Sequence, residues 1–465
     1  MSLISNQYMK ALLKTVYLSG VDNLKYQNSP VLSGITKEKW TGGDVLKYAA
    51  QYGNGGNFGS VYNSIVNSPT SGVKNLQWEA TQGYAFGMFN VNQPQMLTTA
   101  DERGAFMSAI KNNMAGCFDG LSKTLATYLY GGKWGMIDQI ASGDGLAELQ
   151  ATNNKMTLHS SGVIKIDEGT RFQIVEGGDP SGTLRGSDVI CTVTKIDDNV
   201  ITYNASGTIT GITPAVGDAI VLYTARGSDG TARGFEGLAD IIPWYHDRTG
   251  ASWDTYIAKK FRGVDRSKSV NRLAGQFVKA EDVGDTRLAD AMVALLKKTK
   301  RAGGLNNMMI VNDETWDAIG AELGIQKNLW QATDGNIKSQ SATLGINELA
   351  TAFGDAFIGR TVIDPYQHEG IVHCIEKEDL RFYDLGNVSR VLDPVANDQI
   401  GKHEVDAVGD QGFGTSFGSN INIDKLFTVE QGAAGEYGPE FRIAAHVYGN
   451  FILRKTASAG VAVVK

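Results

Sequence analysis

The stretch 414–418, GTSFG, has the G-x-S-x-G spacing of a serine nucleophile elbow, a strained turn that exposes the serine hydroxyl between a strand and a helix. The sequence that follows does not fit a helix, because Ile421 and Ile423 alternate as in a strand. A Gly-rich loop is therefore the favoured interpretation of this stretch. A serine hydrolase that uses Ser416 is the alternative from a different functional class.

The histidines and cysteines do not have the spacing of a metal site. His368 and His403 each precede a glutamate as in a zincin motif, but neither is followed by a second histidine four residues on. His373 and Cys374 lie in an apolar run, where strand geometry directs their side chains to opposite faces, so Cys374 is predicted to be a core residue. The sequence thus predicts no catalytic residue, no metal and no cofactor, and we expect the chain not to be an enzyme.

A basic stretch at 259–272 is the strongest local charge signal. It contains one acid and six basic residues, which are Lys259, Lys260, Arg262, Arg266, Lys268 and Arg272. Contact with a neighbouring subunit is the favoured interpretation, ahead of a solvated loop and of contact with DNA phosphates. The whole chain carries a net charge of -7, which gives no global signature of a nucleic-acid binder.

Length and composition set the broad class. With 465 residues the chain is long enough for about three structural units at ~150 residues each. Its 42% apolar and 20% charged residues are typical of a globular protein, and no apolar run approaches the ~20 residues that span a bilayer. The 3 cysteines are odd in number and far apart, which fits a reducing cytoplasm as the site of synthesis better than a disulfide framework.

The N-terminal third predicts an arm, a hairpin and a long helix. Residues 1–75 contain a Gly- and Asn-rich stretch and form the predicted arm. Trp78 belongs to one alternating run and Tyr84 and Phe86 to the next, across a short turn at 81–83, which predicts a β-hairpin within 76–98. A capping-box spacing at Thr99 and apolar residues at helical intervals up to 131 then predict a helix ~45 Å long.

The middle of the chain changes to short β-type runs. Five strands are predicted within 160–226, at 163–166, 171–175, 189–196, 200–203 and 219–222. The tight turn between Ile196 and Val200 predicts a hairpin. Such a segment is large enough to form a small all-β domain, and we interpret it as an insertion.

The C-terminal half has an α+β pattern. A helix is predicted over 285–302, a strand over 308–311 and a helix over 314–323 that is capped by Asn312 and Asp313. Further strands are predicted at 357–363 and 371–375, and the chain ends in strand-like runs at 441–448, 451–453 and 461–464.

In this order the pieces resemble the major capsid proteins of tailed bacteriophages with the Hong Kong 97-type fold. The most family-like stretches are 288–316, 358–363 and the ending 442–464. The resemblance implies an α+β fold with an N-terminal arm at 1–75, an extended β-hairpin loop at 76–98, and a spine helix with the start of the peripheral domain at 99–159. It places a β-rich insertion domain at 160–226, more peripheral domain and connecting loops at 227–284, the axial domain at 285–400, and strands that return to the peripheral domain at 401–465.

The resemblance also implies a function and partners. The chain would assemble with itself into pentamers and hexamers of an icosahedral or prolate head shell around double-stranded DNA, which it would touch only non-specifically. It would be made in the bacterial cytoplasm, reside in the virion capsid, and work with a separate scaffolding protein, a portal and decoration proteins, but with no membrane. Trp78, Tyr84 and Phe86 are then expected to contact a neighbouring subunit. A bacterial encapsulin shell is the alternative within the same fold.

Overall fold

The computed structural model describes residues 29–40, 43–67, 72–92, 109–141, 148–227, 230–246, 248, 250–283, 288–305, 307–322, 360–384, 422–424 and 440–463. Helices and strands are mixed, as predicted for an α+β protein. The strands are β1 (Thr36–Lys39), β2 (Val45–Gly53), β3 (Lys74–Thr81), β4 (Gly83–Asn92), β5 (Met136–Gln139), β6 (Asn154–Thr157), β7 (Arg171–Val175), β8 (Ile190–Asp197), β9 (Val200–Ser206), β10 (Ala219–Leu222), β11 (Gln276–Lys279), β12 (Met308–Val311), β13 (Arg360–Ile363), β14 (Ile371–Ile375), β15 (Leu380–Asp384), β16 (Asn422–Asp424), β17 (Glu440–Leu453) and β18 (Gly460–Val463). The α-helices are α1 (Pro30–Gly34), α2 (Tyr62–Val66), α3 (Ala109–Gly131), α4 (Ser160–Ile164), α5 (Leu238–Ile241), α6 (Gly250–Ala258), α7 (Val270–Leu273), α8 (Leu288–Arg301) and α9 (Asp313–Glu322).

The predicted hairpin within 76–98 is wrong in its pairing, although both of its strands exist. β3 pairs antiparallel with β2, with Tyr48 opposite Trp78. β4 instead pairs antiparallel with β17, with Phe86 opposite His446. The hairpin of the molecule is therefore β2–β3, which begins at Val45 and includes the Gly- and Asn-rich stretch that the sequence analysis placed in the arm.

The long strand β17 organises the first sheet, which we call the long-strand sheet. Its order is β1-β15-β17-β16, and β4 also pairs with β17. β1 joins β15 in parallel, whereas β15, β16 and β4 all run antiparallel to β17. The strand β4 thus brings the end of the N-terminal region onto the C-terminal part of the chain.

The helix α3 spans 23 residues and ends at Gly131, as predicted. The predicted start at Thr99 lies outside the described residues. Two glycines allow the helix to dock closely: a Cβ on Gly87 of β4 would lie 2.6 Å from the Cys117 sulfur, and one on Gly237 would lie 2.0 Å from the Tyr128 carbonyl oxygen. A side chain at Gly237 would collide with backbone atoms of the helix, and one at Gly87 would force the Cys117 side chain to move.

The β-rich region forms a six-stranded sheet, here named the middle sheet, in the order β5-β10-β7-β8-β9-β6. Four of the five predicted strands and the hairpin of β8 and β9 are confirmed. The fifth, at 163–166, is wrong because helix α4 occupies 160–164. The sheet begins at Met136 and so extends beyond the predicted 160–226, and its buried residues belong to the same hydrophobic core as those of α3.

The third sheet, the mixed sheet, has the order β11-β18-β14-β12-β13. The predicted strands 308–311 and 371–375 are confirmed, as is the helix that Asn312 caps with its side-chain oxygen on the Glu314 N–H, at 2.8 Å. Successive residues of β12 face different cores, since Met308 belongs to the main core and Met309 to the cluster beneath α8. The last strand, β18, pairs with β11 and β14 in this sheet.

Several predictions concern residues outside those that the structure describes. They include the arm at 1–28, the nucleophile-elbow candidate Ser416, His403 and most of the segment between β15 and β17.

Candidate subunit interface

The tip of the β2–β3 hairpin presents apolar side chains to solvent. Phe58 is 84% exposed and Tyr62 is 77% exposed, and Val61, Val66 and Val73 are exposed on the same connection. Exposed apolar groups are ordinary when they are scattered singly, but a group of five on one connection is typical of an interaction surface. This tip could not be recognised from the sequence, because its glycines and asparagines are typical of an arm.

Trp78 lies at the base of the hairpin and is only 3% exposed. Its ring stacks on Tyr48 with centroids 6.2 Å apart and an interplanar angle of 16°. Phe261 meets it edge-on at 6.1 Å. The expectation that a neighbouring subunit covers Trp78 is corrected, because residues of its own chain already bury it.

Arg262 is the centre of a buried polar contact. Its Nε donates to the Glu236 carboxylate at 2.6 Å, and its other nitrogens donate to the Tyr48 hydroxyl at 3.0 Å and to the Phe451 carbonyl oxygen at 2.6 Å. Burial alone would lower the pKa of this guanidinium, but Tyr48 and Glu236 together hold it above its ordinary value. The hairpin, the basic stretch and β17 are thus joined through one side chain.

Arg266 is also buried, with 2% of its surface exposed. Its guanidinium donates to the Asp240 carbonyl oxygen at 2.9 Å and lies 4.4 Å from the centre of the Phe261 ring. Arg262 and Arg266 were both predicted to contact a neighbouring subunit. Their charges are instead used within the chain, so the predicted basic patch is smaller than the sequence suggests.

The other four basic residues of the stretch, Lys259, Lys260, Lys268 and Arg272, are exposed. Arg272 donates a hydrogen bond to the Tyr52 carbonyl oxygen of β2. Lys260 lines a small depression of about 270 Å³ that also includes Glu79 and Glu236. A role of these four residues in subunit contact stays a prediction.

Tyr84 and Phe86 lie on one face of β4 beside Tyr448 of β17. The rings of Tyr84 and Phe86 are stacked at 6.4 Å, and Tyr448 meets them edge-on at 5.5 Å and 6.0 Å. Phe86 is 62% exposed and Tyr84 is at the border of exposure. These two side chains keep the surface position that a contact with a second copy requires, so their interface role stays a prediction.

A cleft of about 990 Å³ lies beside the hairpin, between β2, α7, the end of α8 and the turn before β18. Six basic residues line it, and its lining contains no Asp or Glu; the six are Lys74, Lys268, Arg272, Arg301, Arg454 and Lys455. This cleft could not be recognised from the sequence, because these residues come from four separate segments and only the fold brings them together.

A buried polar junction joins the middle sheet to the mixed sheet. The Asp138 carboxylate accepts from the His159 backbone N–H at 2.7 Å and lies 4.0 Å from the His368 ring. The Lys165 amine donates to the Ile137 carbonyl oxygen at 2.8 Å and lies 3.4 Å from His368. Burial alone would raise the pKa of Asp138, but His159 and His368 hold it below its ordinary value.

His373, the other histidine of the metal hypothesis, is fully buried and contacts the Gln367 side chain at 2.7 Å. Burial lowers its pKa to about 3. Cys374 is a buried core residue, as predicted. Within the described ranges no group of three or more His, Cys, Asp or Glu side chains is arranged to hold a metal ion, and no helix is long and apolar enough to cross a membrane.

Comparison with known proteins gives a likeness at the level of fold. No protein-family model matches the chain, and no curated protein matches it either. Over 99% of its length it matches all of a chain in the capsid asymmetric unit of cyanophage A-1(L), with 11% identity and a TM-score of 0.51. It also matches chains from Mycobacterium phage Ogopogo, with 9% identity and a TM-score of 0.43, and from the capsid of Myoviridae phage XM1, with 6% identity and a TM-score of 0.43, each over 99% of both chains.

At 11% identity, the likeness to the cyanophage chain concerns the fold alone. The match to the cyanophage capsid chain covers both chains almost completely. The fold of this protein is therefore that of a chain that forms part of a phage capsid.

Proposed function

We propose that this chain is the major capsid protein of a tailed phage and adopts the Hong Kong 97-type fold. The observation that carries the proposal is the fold shared, from end to end, with the cyanophage capsid chain. A hairpin whose tip exposes apolar side chains adds to it, since such a tip does little for an isolated monomer. Encapsulin shells and the Ser416 hydrolase have no comparable observation in their favour.

The proposal gives each part of the fold a role in the shell. The β2–β3 hairpin, at 45–81, is the extended loop, and α3 is the spine helix. The long-strand sheet belongs to the peripheral domain and the mixed sheet, with α8 and α9, to the axial domain. The middle sheet is the additional β-rich element, which begins at Met136 and shares its core with α3.

The proposed partners follow from the role. Copies of the chain form pentamers and hexamers of the head shell in the virion, after synthesis in the bacterial cytoplasm. A separate scaffolding protein, a portal and decoration proteins would complete the assembly. The shell would touch packaged DNA only non-specifically, in keeping with a net charge of -7. The chain has no enzymatic role in this proposal.

Mass and shape of the purified protein test the proposal directly. Light scattering and negative-stain microscopy on one sample should find pentameric or hexameric rings, or closed shells tens of nanometres across. A ~50 kDa monomer that stays single after scaffolding candidates and crowding agents are added would contradict the proposal.

A hairpin-tip variant tests the role of the extended loop. Phe58→Ser with Tyr62→Ser removes two large exposed apolar side chains, so we expect the melting temperature of the unassembled chain to stay the same while shell formation is strongly reduced. Val216→Ser is the matched control, because Val216 is an exposed apolar side chain outside the hairpin. Equal assembly of the tip variant and the control would count against an interface at the tip.

A further inference from the structure

The basic cleft beside the hairpin has walls that suit an extended chain. Small residues line it, namely Ala49, Ala50, Gly53, Ala302, Gly303 and Ala457, so a ligand backbone can approach closely. At about 990 Å³ it reaches the upper end of the ~300–1,000 Å³ range of ligand clefts. The charged residues of its lining are all basic.

Only part of this positive charge is balanced within the described chain. Arg454 pairs with Glu38 at 3.4 Å, and Lys455 pairs with Glu376 at 3.2 Å and with Asp379 at 3.5 Å. In the described ranges Lys74, Lys268 and Arg301 form no ion pair with a carboxylate within 4 Å. Cations gathered from separate segments repel one another, so an anionic partner would stabilise this arrangement.

The shape of the site favours a protein segment over duplex DNA. A duplex is a thick rod that binds to a broad basic stripe, and the chain as a whole is acidic, with a net charge of -7. A cleft of this size admits a single extended strand instead. Carboxylates are the anions that a protein strand supplies, and arginine and lysine bind them with charge-assisted hydrogen bonds.

The sequence itself contains a carboxylate-rich segment. The stretch 393–410 contains one lysine, Lys402, and five acidic residues, which are Asp393, Asp398, Glu404, Asp406 and Asp410. In a ring of identical subunits each contact is heterologous, so the two complementary surfaces must lie on different parts of one chain. The basic cleft and this acidic stretch meet that condition.

We propose that the basic cleft beside the β2–β3 hairpin binds the carboxylate-rich segment 393–410 of a second copy of this chain. The proposal rests on the proposed shell function and names one contact within it. The contact is electrostatic, so it favours correct register between copies and weakens as salt concentration rises.

Charge reversal in the full chain tests whether the cleft contributes to assembly. Lys268→Glu with Arg301→Glu inverts two charges that line the cleft, and Lys297→Glu with Lys300→Glu inverts two exposed charges on α8 outside the lining. We expect the cleft variant to lose shells at least tenfold in sedimentation assays, whereas the control assembles like the parent. Melting temperatures of both unassembled variants exclude misfolding as the cause of a loss.

Crosslinking in assembled shells tests the identity of the occupant. A carbodiimide joins a lysine amine to a carboxylate as an amide, with loss of one water, so shells built from equal amounts of ¹⁴N and ¹⁵N chains report which links join two copies. We expect mixed-isotope links from Lys74 or Lys268 to acidic residues of 393–410. The pair Lys455 and Glu376, 3.2 Å apart, is the internal positive control and should give same-isotope links.

The outcomes separate this inference from the proposed function. If the parent chain forms shells, the cleft variant assembles normally, and Lys74 and Lys268 give no mixed-isotope link while the control pair reacts, the contact is overturned and the shell stands. If the cleft variant retains less DNA in a filter assay with a 30-base-pair duplex and forms no mixed link, the cleft binds phosphate and the proposal is again overturned. Failure of the parent chain to assemble under any condition refutes the shell itself.

Discussion

The Nε of Arg262 donates a 2.6 Å hydrogen bond to the Glu236 carboxylate, and both side chains are largely withdrawn from solvent. This ion pair sits where the β2–β3 hairpin meets the long-strand sheet, since the same guanidinium also reaches Tyr48 and Phe451. The orientation of the hairpin in the monomer therefore depends on one buried charge and its partner.

Arg262→Ala should lower the free energy of unfolding by about 3–5 kcal/mol, because it leaves the Glu236 carboxylate buried without its counter-charge. Urea denaturation of the unassembled chain measures this loss. Lys260→Ala is the control, since Lys260 is exposed and should change the free energy of unfolding by less than about 0.5 kcal/mol. Equal, small effects of both substitutions would show that the pair does not hold the hairpin.

The sequence predicted the elements better than their partners. Apolar runs identified β10, β12 and β14 at their observed bounds, because short buried strands bounded by turn residues leave a clear local signal. Alternation also identified β3 and β4, but it says nothing about which strand lies alongside. β4 pairs with β17 across some 350 positions, a non-local relationship that no local pattern encodes.

Tertiary contacts also overrode local propensity. The apolar run 163–166 predicted a strand, yet α4 forms there. The Asp138 carboxylate binds the His159 N–H just before this helix, and the Lys165 amine just after it reaches the Ile137 carbonyl oxygen. Contacts with residues distant in sequence also bury Arg262 and Arg266, so spacing alone could not distinguish them from the exposed lysines beside them.

Trp78→Ala should lower the free energy of unfolding of the unassembled chain by about 3–5 kcal/mol, the usual cost of truncating a large buried aromatic residue. The loss reflects the vacated space between Tyr48 and Phe261. Phe58→Ala at the exposed tip is the control and should leave this free energy within about 0.5 kcal/mol of the parent. A neutral Trp78→Ala in the monomer, with a loss seen only in shells, would restore the idea that a neighbour covers Trp78.

The buried Lys165 amine should make the free energy of unfolding rise with pH. Burial lowers its pKa to about 7 from 10.5, while Asp138 and Asp364 act in the opposite direction. Between these two pH values the unfolded chain binds a proton at Lys165 that the folded chain does not. The free energy of unfolding therefore increases by about 1.4 kcal/mol per pH unit as pH rises. The destabilisation caused by burying the charged amine is therefore complete below about 7 and is absent above 10.5.

The variant Lys165→Met isolates this effect, because it removes the titrating amine and keeps a side chain of similar length. The free energy of unfolding of the parent minus that of the variant, measured by urea denaturation at pH 7.5, 8.5 and 9.5, should increase by about 2–3 kcal/mol across the series. A constant difference would mean that Lys165 keeps its ordinary pKa in the folded chain.

Deletion of residues 160–226, the insertion predicted from the sequence, should not leave a folded protein. Deleting 160–226 removes β7 to β10, so β5 loses its partner β10 and β6 loses its partner β9. It also takes Phe172 and Val221 out of the core that contains Leu125 and Leu129 of α3. Because buried apolar area supplies most folding stability, we expect the deleted chain to be insoluble and to lack a cooperative melting transition.

A Gly-Ser pair inserted between Asp198 and Asn199, at the turn of the β8–β9 hairpin, is the control. It should retain both solubility and cooperative melting, since lengthening a turn costs little. A soluble deletion variant with a sharp transition near that of the parent would instead establish the middle sheet as an independent insertion.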